Sequence, residues 1–204
     1  MTYTTVPTKI AGDPLTAALW NASVRDNLNK GVMRPIAETT LGAPAASIVF
    51  SSIPADLSHL ALRLFCRGDQ VASFVPVNMQ VNGDSGNNYD NQWLISNGAS
   101  GAPLMQEAVG VGIIRAGSMV GANALASVWC SIALEIPGYA STAGQKAILT
   151  KSAYKTNTAT TAIYMEDGVG FWRNTAAISS LTLISSVGNF LTGTKATLYG
   201  AGGA

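Results

Sequence analysis

The chain has 204 residues, with 12 Lys and Arg against 11 Asp and Glu, and this length allows one all-β domain with an appendage. Only 11% of the residues are charged and the basic ones are scattered, which excludes the electrostatic footprint of a protein that binds nucleic acid or an anionic membrane. The start, MTYTTVPTKIAGDP, has no basic region followed by an apolar one, so we expect synthesis in a cytoplasm without a secretory signal. A neutral, polar surface of this kind suits packing against other proteins.

The first predicted element is a helix from Asp13 to Lys30, in the stretch DPLTAALWNASVRDNLNK. We expect Asp13 to cap the helix, Pro14 to occupy its first position and Gly31 to follow its end. A helix of this length is marginal alone in water, so we expect it to dock on another surface as an anchor. The predicted anchor residues are Leu15, Leu19, Trp20, Arg25, Asp26 and Leu28.

Residues 32–46 contain Pro35, Gly42 and Pro44 without a sustained period, which predicts an extended connector. From residue 47 onward the apolar residues recur with period two, as in strands. We therefore predict residues 1–46 as helix and connector, and residues 47–204 as an all-β domain, an antiparallel β-sandwich or jelly roll. The predicted strands are Ser47–Ser52, Leu57–Cys66, Phe74–Val81, Val109–Arg115, Ala126–Ile136, Lys146–Tyr154, Thr160–Met165, Gly170–Arg173, Ala177–Ile184 and Lys195–Tyr199.

Turn residues separate these predicted strands. Asn82-Gly83-Asp84 and Pro137-Gly138-Tyr139 are typical separators, because Asn, Gly and Pro favour turn geometry. The clearest predicted hairpin has its turn at Glu166-Asp167-Gly168, since Asp-Gly supplies the positive φ angles that a tight hairpin turn needs.

One segment, from Ala116 to Leu134, is 19 residues long without a charge and meets the length criterion for a transmembrane helix. Glycine, serine and asparagine interrupt it, and its second half alternates in the period of a strand. We predict strands here and no membrane span.

Two residue types that often carry chemistry are scarce. His59 is the single histidine and lies in a run that alternates like a strand, so we predict that it is half exposed. Leu60, Leu62, Leu64 and Cys66 are predicted to form the opposite, core-directed face of that strand. Cys66 and Cys130 lack the spacing and histidine neighbours of a zinc or redox motif. We predict two buried thiols, and a disulfide between them remains open.

Carboxylates could in principle support glycoside hydrolysis, which uses two acids that flank the sugar. The candidates are Asp84, Asp90, Glu107, Glu135, Glu166 and Asp167. Four of these six lie in predicted turns, where acids occur for conformational reasons. We therefore predict no catalytic residue, and keep a polysaccharide-degrading enzyme as the least favoured function.

The stretch NGDSGNNYDNQW, residues 82–93, is rich in oxygen ligands. A helix-loop-helix calcium loop that starts at Asn82 needs glycine at its sixth position and glutamate at its twelfth, where this chain has Asn87 and Trp93. A looser calcium site with Asp84 and Asp90 as carboxylate ligands remains open, beside a turn whose side chains bond to their own backbone. No other cofactor is predicted.

Short sequence elements follow one another along the whole chain in a characteristic order. They are Trp20-Asn21 with Val24-Arg25-Asp26-Asn27-Leu28, Ile53-Pro54, His59-Leu60-Ala61-Leu62, residues 82–89, Ile136-Pro137-Gly138-Tyr139, Trp172-Arg173 and Ala196-Thr197-Leu198-Tyr199-Gly200. Their types and order resemble a family of small virion proteins of tailed bacteriophages that carries a W-N-x-x-[IV]-R-D-N-L helix. Members of that family are usually described as minor structural or tail proteins.

The resemblance implies a non-enzymatic virion component of the tail, baseplate or head, made in the bacterial cytoplasm, with other virion proteins as partners. We expect the helix to anchor it and the β domain to face outward as a symmetric homo-oligomer, with a trimer favoured. The alternative is a receptor-binding module for host cell-surface carbohydrate, with Tyr89, Trp93 and Trp172 as the glycan-facing aromatics.

Overall fold

The computed structural model describes residues 14, 16–21, 32–97, 103–156 and 163–202, which form one short helix and twelve strands in two antiparallel sheets. The helix, α1, is Ala17–Trp20. The strands are β1 Arg34–Thr40, β2 Ser47–Phe50, β3 His59–Cys66, β4 Phe74–Val81, β5 Tyr89–Asn97, β6 Leu104–Val111, β7 Ile114–Val120, β8 Cys130–Pro137, β9 Lys146–Lys155, β10 Ile163–Trp172, β11 Leu181–Ser185 and β12 Lys195–Ala201.

The large sheet has the order β1-β12-β3-β8-β9-β10-β5-β6, and the small sheet has the order β2-β11-β4-β7. The eight strands β2 to β7, β10 and β11 can be numbered 1 to 8 in chain order. In these numbers the small sheet has the spatial order 1-8-3-6. The large sheet has the order 2-7-4-5, and together these are the two strand orders of a jelly roll. β8 and β9 are inserted between β3 and β10, while β12 and β1 extend the sheet beyond β3. The predicted all-β sandwich is confirmed.

The core lies between the two sheets and follows from alternating side chains. In β4, Val75, Val77, Met79 and Val81 are buried, and the residues between them are more exposed. β7 lies against β8, β9 and β10, so its buried face closes the core from the small sheet. Period-two alternation in the sequence therefore places one face of each strand in a shared apolar layer.

The segment predicted as an extended connector contributes a strand to the sandwich. β1 pairs antiparallel with β12, with Glu38 opposite Thr197. Because β1 is an edge strand with mostly exposed or half-buried side chains, no strong alternation marks it in the sequence. Pro35 is tolerated near the start of an edge strand. The connector prediction is wrong for Arg34–Thr40, and the sandwich includes residues before 47.

The predicted hairpin at Glu166-Asp167-Gly168 is also wrong, because β10 runs straight through these residues. Glycine serves a different purpose here. A Cβ on Gly168 would lie 2.8 Å from Thr150 Oγ1 and 3.0 Å from the Gln92 carbonyl oxygen, so only glycine fits between β9 and β5.

The predicted strand Val109–Arg115 is two strands in different sheets, because the chain leaves β6 at Val111 and enters β7 at Ile114. The sequence stretch that suggested a calcium loop contributes the first half of β5, a strand that was not predicted. Only its beginning is a turn. Asn82 and Gly83 both have positive φ, and the Asp84 amide bonds to the Val81 carbonyl at 2.9 Å, which confirms the predicted turn at that point.

The described part of the predicted helix begins later than expected. Thr16 is the N-cap, and its hydroxyl accepts a hydrogen bond from the Leu19 amide at 3.2 Å. Pro14 therefore precedes the cap, so the prediction that it opens the helix is wrong. Asp13 and residues 22–31 lie outside the described residues.

The uncharged segment Ala116–Leu134 forms the end of β7, a loop and the start of β8. Arg67, which is buried, holds this loop by donating hydrogen bonds to the carbonyl oxygens of Ala124 at 2.8 Å, Leu125 at 2.6 Å and Val128 at 2.8 Å. In the part of the chain that the structure describes, no helix is long and apolar enough to cross a membrane.

The two cysteines lie directly opposite each other on β3 and β8. Their Sγ atoms are 3.3 Å apart, and both are buried free thiols, which confirms the prediction of two buried thiols. Burial raises the pKa of the Cys66 thiol, and the contact with Cys130 acts in the same direction.

Candidate functional site

The large sheet extends past the small sheet on one side, and this overhang forms a cleft. β7 is the edge of the small sheet and lies mainly over β8 to β10, which leaves the inner side of β5 and β6 only partly covered. The cleft between this overhang and the β7 edge has a volume of about 460 Å³. We call it the β5–β7 cleft, and its walls are formed by Pro76, Asn78, Asn91, Trp93, Ala108, Val111, Gly112, Ile113, Arg115 and Ser186.

A buried polar network supports this cleft from below. The Glu166 carboxylate on β10 accepts hydrogen bonds from Ser118 Oγ at 2.7 Å, Tyr154 Oη at 3.1 Å and Arg115 Nη2 at 3.1 Å. Arg115 Nη2 also donates to Ser118 Oγ at 2.7 Å. Glu166 is 3% exposed, so these donors offset the cost of burying its charge.

The tyrosine of this network stays a neutral donor. Burial raises the pKa of Tyr154, and the negative charge of Glu166 raises it further. Tyr154 also stacks on Tyr164 with ring centroids 5.1 Å apart. The hydroxyl is therefore held against the carboxylate by packing as well as by its hydrogen bond.

Arg115 and Trp93 are in contact where the polar network borders the cleft. The guanidinium carbon of Arg115 is 5.6 Å from the centre of the Trp93 ring, within the range of a cation–π contact. Asn91 fixes the backbone beside them, since its side chain donates to the Ile113 carbonyl and accepts from the Arg115 amide, both at 2.9 Å. The geometry of the cleft is thus set by β5 and β7 together.

Two buried N–H groups at this cleft have no hydrogen-bond partner among the described residues, Trp93 Nε1 and Arg115 Nε. Buried donors normally find a partner, so an unpartnered pair in one place leaves two N–H groups for which the described protein atoms supply no acceptor. The side chain of Arg115, which donates to Glu166 Oε1, keeps 16% of its surface exposed.

Of the three aromatics predicted to face a glycan, only Trp93 lines the cleft. Trp172 is 1% exposed and donates its indole N–H to Asp84 Oδ2 at 2.8 Å. Tyr89 is fully buried, and its hydroxyl bonds to the Asp84 carbonyl at 2.8 Å and the Val81 amide at 3.0 Å. The prediction is wrong for Trp172 and Tyr89, because inward strand positions place both in the core.

The two carboxylates proposed as calcium ligands have separate roles. Asp84 accepts from Trp172, from the Gly86 amide at 2.9 Å and from Asn88 Nδ2 at 3.0 Å. Asp90 accepts from the Gly110 amide at 2.9 Å and contacts an arginine on the outer face of the large sheet. The structure does not combine these two side chains into one site. Among the described residues, no three His, Cys, Asp or Glu side chains are grouped as they would be around a metal ion.

The other candidate acids divide between the two faces of the large sheet. Glu166 faces inward, whereas Glu135 lies on the outer face between His59 and Arg63, with contacts of 2.6 Å to each. Partial burial would raise the pKa of Glu135, but the hydrogen bonds from His59 and Arg63 outweigh it, and the pKa is lowered. Asp167 pairs with Lys151 at 3.3 Å, also on the outer face.

The outer face of the large sheet carries exposed apolar side chains between these ion pairs. The register between β9, β10, β5 and β6 brings them into adjacent rows. They are Met105, Val109, Leu149, Met165 and Phe171, with Phe65 on β3. Asp90, Glu107, Lys151 and Asp167 lie between them in these rows, so the apolar residues are single exposed side chains of the kind common on protein surfaces.

The predicted anchor residues are only partly described. Leu19 is partly buried and Trp20 is half exposed on α1. Leu15, Arg25, Asp26 and Leu28 lie outside the described residues.

Six of the seven sequence elements that carry the phage resemblance meet in pairs, and the seventh, the helix element, lies mostly outside the described residues. Asp84 holds Trp172, and the Tyr139 hydroxyl donates to the Pro54 carbonyl. β3 and β12 pair so that Leu62 lies opposite Leu198. Elements far apart in the chain thus form the contacts that close the sandwich.

Comparison of the chain with models of protein families, with curated proteins and with solved structures gives no match.

Sequence reasoning missed Arg115 and assigned Glu166 to a turn. A usable signal existed for Arg115, which is a charged residue within a run that otherwise reads as a buried strand, because such charges are seldom buried without a partner. Glu166 is followed by Asp167 and Gly168, a composition typical of a turn, so no local signal marked it as that partner.

Proposed function

We propose that this protein is a non-enzymatic structural component of a bacteriophage virion, in the tail, baseplate or head. Its N-terminal segment anchors it, and its jelly roll is displayed on the particle. It is made in the bacterial cytoplasm and its partners are other virion proteins. The observation that carries the proposal is the pairwise contact between the elements that resemble phage virion proteins.

These contacts give the resemblance a physical reason. The turn at Asp84 has a structural role, because the Asp84 carboxylate accepts the hydrogen bond of the indole N–H of Trp172, a core residue. Pro54 supplies the carbonyl that the Tyr139 hydroxyl needs, and Asn82 ties its turn to Ala177 at 2.8 Å. Short elements that pair in this way are those that a family sharing one sandwich would retain.

The architecture and the surface support the same proposal. Jelly rolls occur in viral capsid proteins and in lectins, an analogy of fold that adds weight without assigning a role. The exposed apolar side chains on the outer face of the large sheet are available for contact with a neighbouring subunit. Virion attachment sites are symmetric, so we propose a homo-oligomer, with a trimer favoured.

The proposal is tested by removing the anchor. Phage lacking its own copy of the gene is grown in cells that supply either the full chain or a chain without residues 1–31, and purified particles are analysed by quantitative mass spectrometry. We expect full-length protein in constant copy number per particle and none of the truncated form. A full chain with Gln145→Ala, an exposed change in the loop between β8 and β9, is the control and should be incorporated normally.

The circular dichroism spectrum of the truncated protein checks that its β domain is folded. Particles that carry the folded, truncated protein at the normal copy number contradict the anchor. Particles that lack the full-length protein contradict the virion role itself.

A further inference from the structure

We propose that the β5–β7 cleft binds a neutral saccharide, with Trp93 as the stacking surface and Arg115 and Asn78 as hydrogen-bonding groups. The inference rests on the chemistry of the cleft and does not depend on where the protein is located in a particle. The volume of the cleft, about 460 Å³, is within the range of ligand sites in proteins, roughly 300–1,000 Å³.

The charge balance of the cleft selects a neutral ligand. Arg115 is the one charged residue that lines it, and its guanidinium is paired with Glu166 at 3.1 Å. A paired guanidinium does not concentrate anions in the way that an unpaired basic cluster does. The cleft therefore offers N–H donors without net positive charge, and this combination fits hydroxyl and ring oxygens better than phosphate or sulfate.

The hydrogen-bonding groups that remain free face the cleft from two strands. Arg115 uses Nη2 for Glu166 and Ser118, while Nη1 makes no hydrogen bond to any described residue. Asn78, half-buried on β4, likewise makes no side-chain hydrogen bond to a described residue. An amide and a guanidinium together can donate to and accept from neighbouring hydroxyls on one sugar ring.

The apolar part of the cleft completes this set. Trp93 is partly buried and lines the cleft together with Pro76, Ala108 and Ile113. Sugar rings carry a C–H face that stacks on aromatic and aliphatic surface, while their hydroxyls reach polar groups at the rim. Trp93 Nε1 is buried without a partner, so a small rotation of the indole that brings it to a sugar oxygen also satisfies this donor.

The network under the cleft holds the recognition groups in place. Ser118 and Tyr154 fix Glu166, Glu166 fixes Arg115, and Asn91 fixes the Arg115 backbone. Side chains that are already ordered lose little entropy when a ligand binds. Weakly binding sugars gain most from such preorganisation because they offer little apolar area.

The test uses the four tryptophan indole N–H signals in a ¹⁵N–¹H spectrum of the whole chain, each assigned by a Trp→Phe variant. The probes are glucose, galactose, mannose, rhamnose, N-acetylglucosamine, cellobiose and maltose at millimolar concentration. Glucuronate and sodium sulfate at matched ionic strength are the anionic probes. Trp172, in the core, and Trp129, which stacks on Phe65 elsewhere, serve as internal controls.

We expect at least one neutral saccharide to shift the Trp93 signal saturably while the Trp172 and Trp129 signals stay unchanged. Asn78→Ala should raise the dissociation constant for that sugar roughly threefold to tenfold, which is the effect of one lost hydrogen bond. Thr182→Ala is the matched control, because Thr182 is half-buried on the same face of the small sheet but does not line the cleft. It should leave the affinity unchanged.

Three results would each overturn the proposal. The first is no saturable shift of Trp93 with any of the sugars. The second is an equal or stronger response to glucuronate or sulfate, which contradicts the neutral class of ligand. The third is unchanged affinity in Asn78→Ala, with the Trp172 signal showing that the variant is folded.

Discussion

Trp172 and Trp93 lie on the neighbouring strands β10 and β5 and face the same side of the large sheet, yet their surroundings differ. Trp172 is buried, and its N–H is satisfied by Asp84. Trp93 lies on the inner face of the overhang, and its buried N–H bonds to no described residue. The strand pair is closed and completely bonded at Trp172, the part that we call the closed end, and it is open and incompletely bonded from its middle at Trp93 onward, the part that we call the open end. The closed end stabilises the fold, and the open end is where a ligand can bind.

The largest expected difference between the two ends is in stability. Trp172→Ala should lower the free energy of unfolding by about 3–5 kcal/mol, because it removes a large side chain from a closed core. Trp93→Ala should cost less, about 1–2 kcal/mol, because its side chain is only partly buried. Urea unfolding followed by circular dichroism measures both. Equal losses would show that the open end is as well packed as the closed end.

The next largest effect on stability is expected from removing Asp84, the hydrogen-bond acceptor for Trp172 at the closed end. Asp84→Ala should cost about 1–3 kcal/mol, because the buried indole N–H of Trp172 then has no acceptor. Asp167→Ala is the control, since the Asp167 side chain is 41% exposed and its pair with Lys151 should contribute no more than about 1 kcal/mol. If the two substitutions have the same small effect in thermal unfolding, the Asp84 contact does not hold the closed end.

Acid should weaken the closed end through the same carboxylate. The hydrogen bond from Trp172, helped by Asn88 and the Gly86 amide, lowers the pKa of Asp84. The unfolded chain therefore binds more protons, and Asp84 contributes stability above its unfolded pKa of about 3.9 that is lost as the pH falls through its lower folded pKa.

Unfolding measured between about pH 5 and pH 2 should thus show a shallower pH dependence in Asp84→Asn than in the unchanged chain. Asp167→Asn is the reference substitution and should keep the original slope more closely. An unchanged slope in Asp84→Asn would assign the acid sensitivity to the other carboxyls with lowered pKa values, Glu38, Glu135 and Asp69.

The smallest effect is expected for an aromatic exchange at the open end. Trp93→Phe keeps a ring and removes the unpartnered N–H, so its cost should stay within about 1 kcal/mol. Trp172→Phe should cost more, because it also removes the donor that Asp84 needs. A larger loss for Trp93→Phe than for Trp172→Phe would mean that the Trp93 N–H already has a strong partner.

Most of the strands could be predicted from period-two alternation, because one buried face leaves its mark on every second residue. β4 was predicted with its observed bounds, Phe74–Val81. β1 and β5 were missed for different reasons. β1 is an edge strand with little burial, and β5 begins with Tyr89, Asp90 and Asn91 in a stretch whose composition is typical of a turn.

The candidate site could be predicted only in part. Trp93 was singled out as an aromatic in a polar stretch, but Tyr89 and Trp172 met the same criterion and proved to be core residues. Composition cannot separate them, because the difference depends on which strands of the small sheet lie above each one. Arg115 and Glu166 were missed as a pair since they are 51 residues apart in the chain.

The sequence by itself determined the all-β class, the main strands, the Asn82-Gly83 turn and the buried thiols. Each of these depends on local periodicity or on the conformational preference of a few adjacent residues. Only the tertiary structure decided that β5 and β6 overhang the small sheet, that Glu166 is buried in β10, and that Asp84 serves a tryptophan 88 residues away. Those outcomes depend on side chains that meet through sheet packing, and no local pattern encodes such contacts.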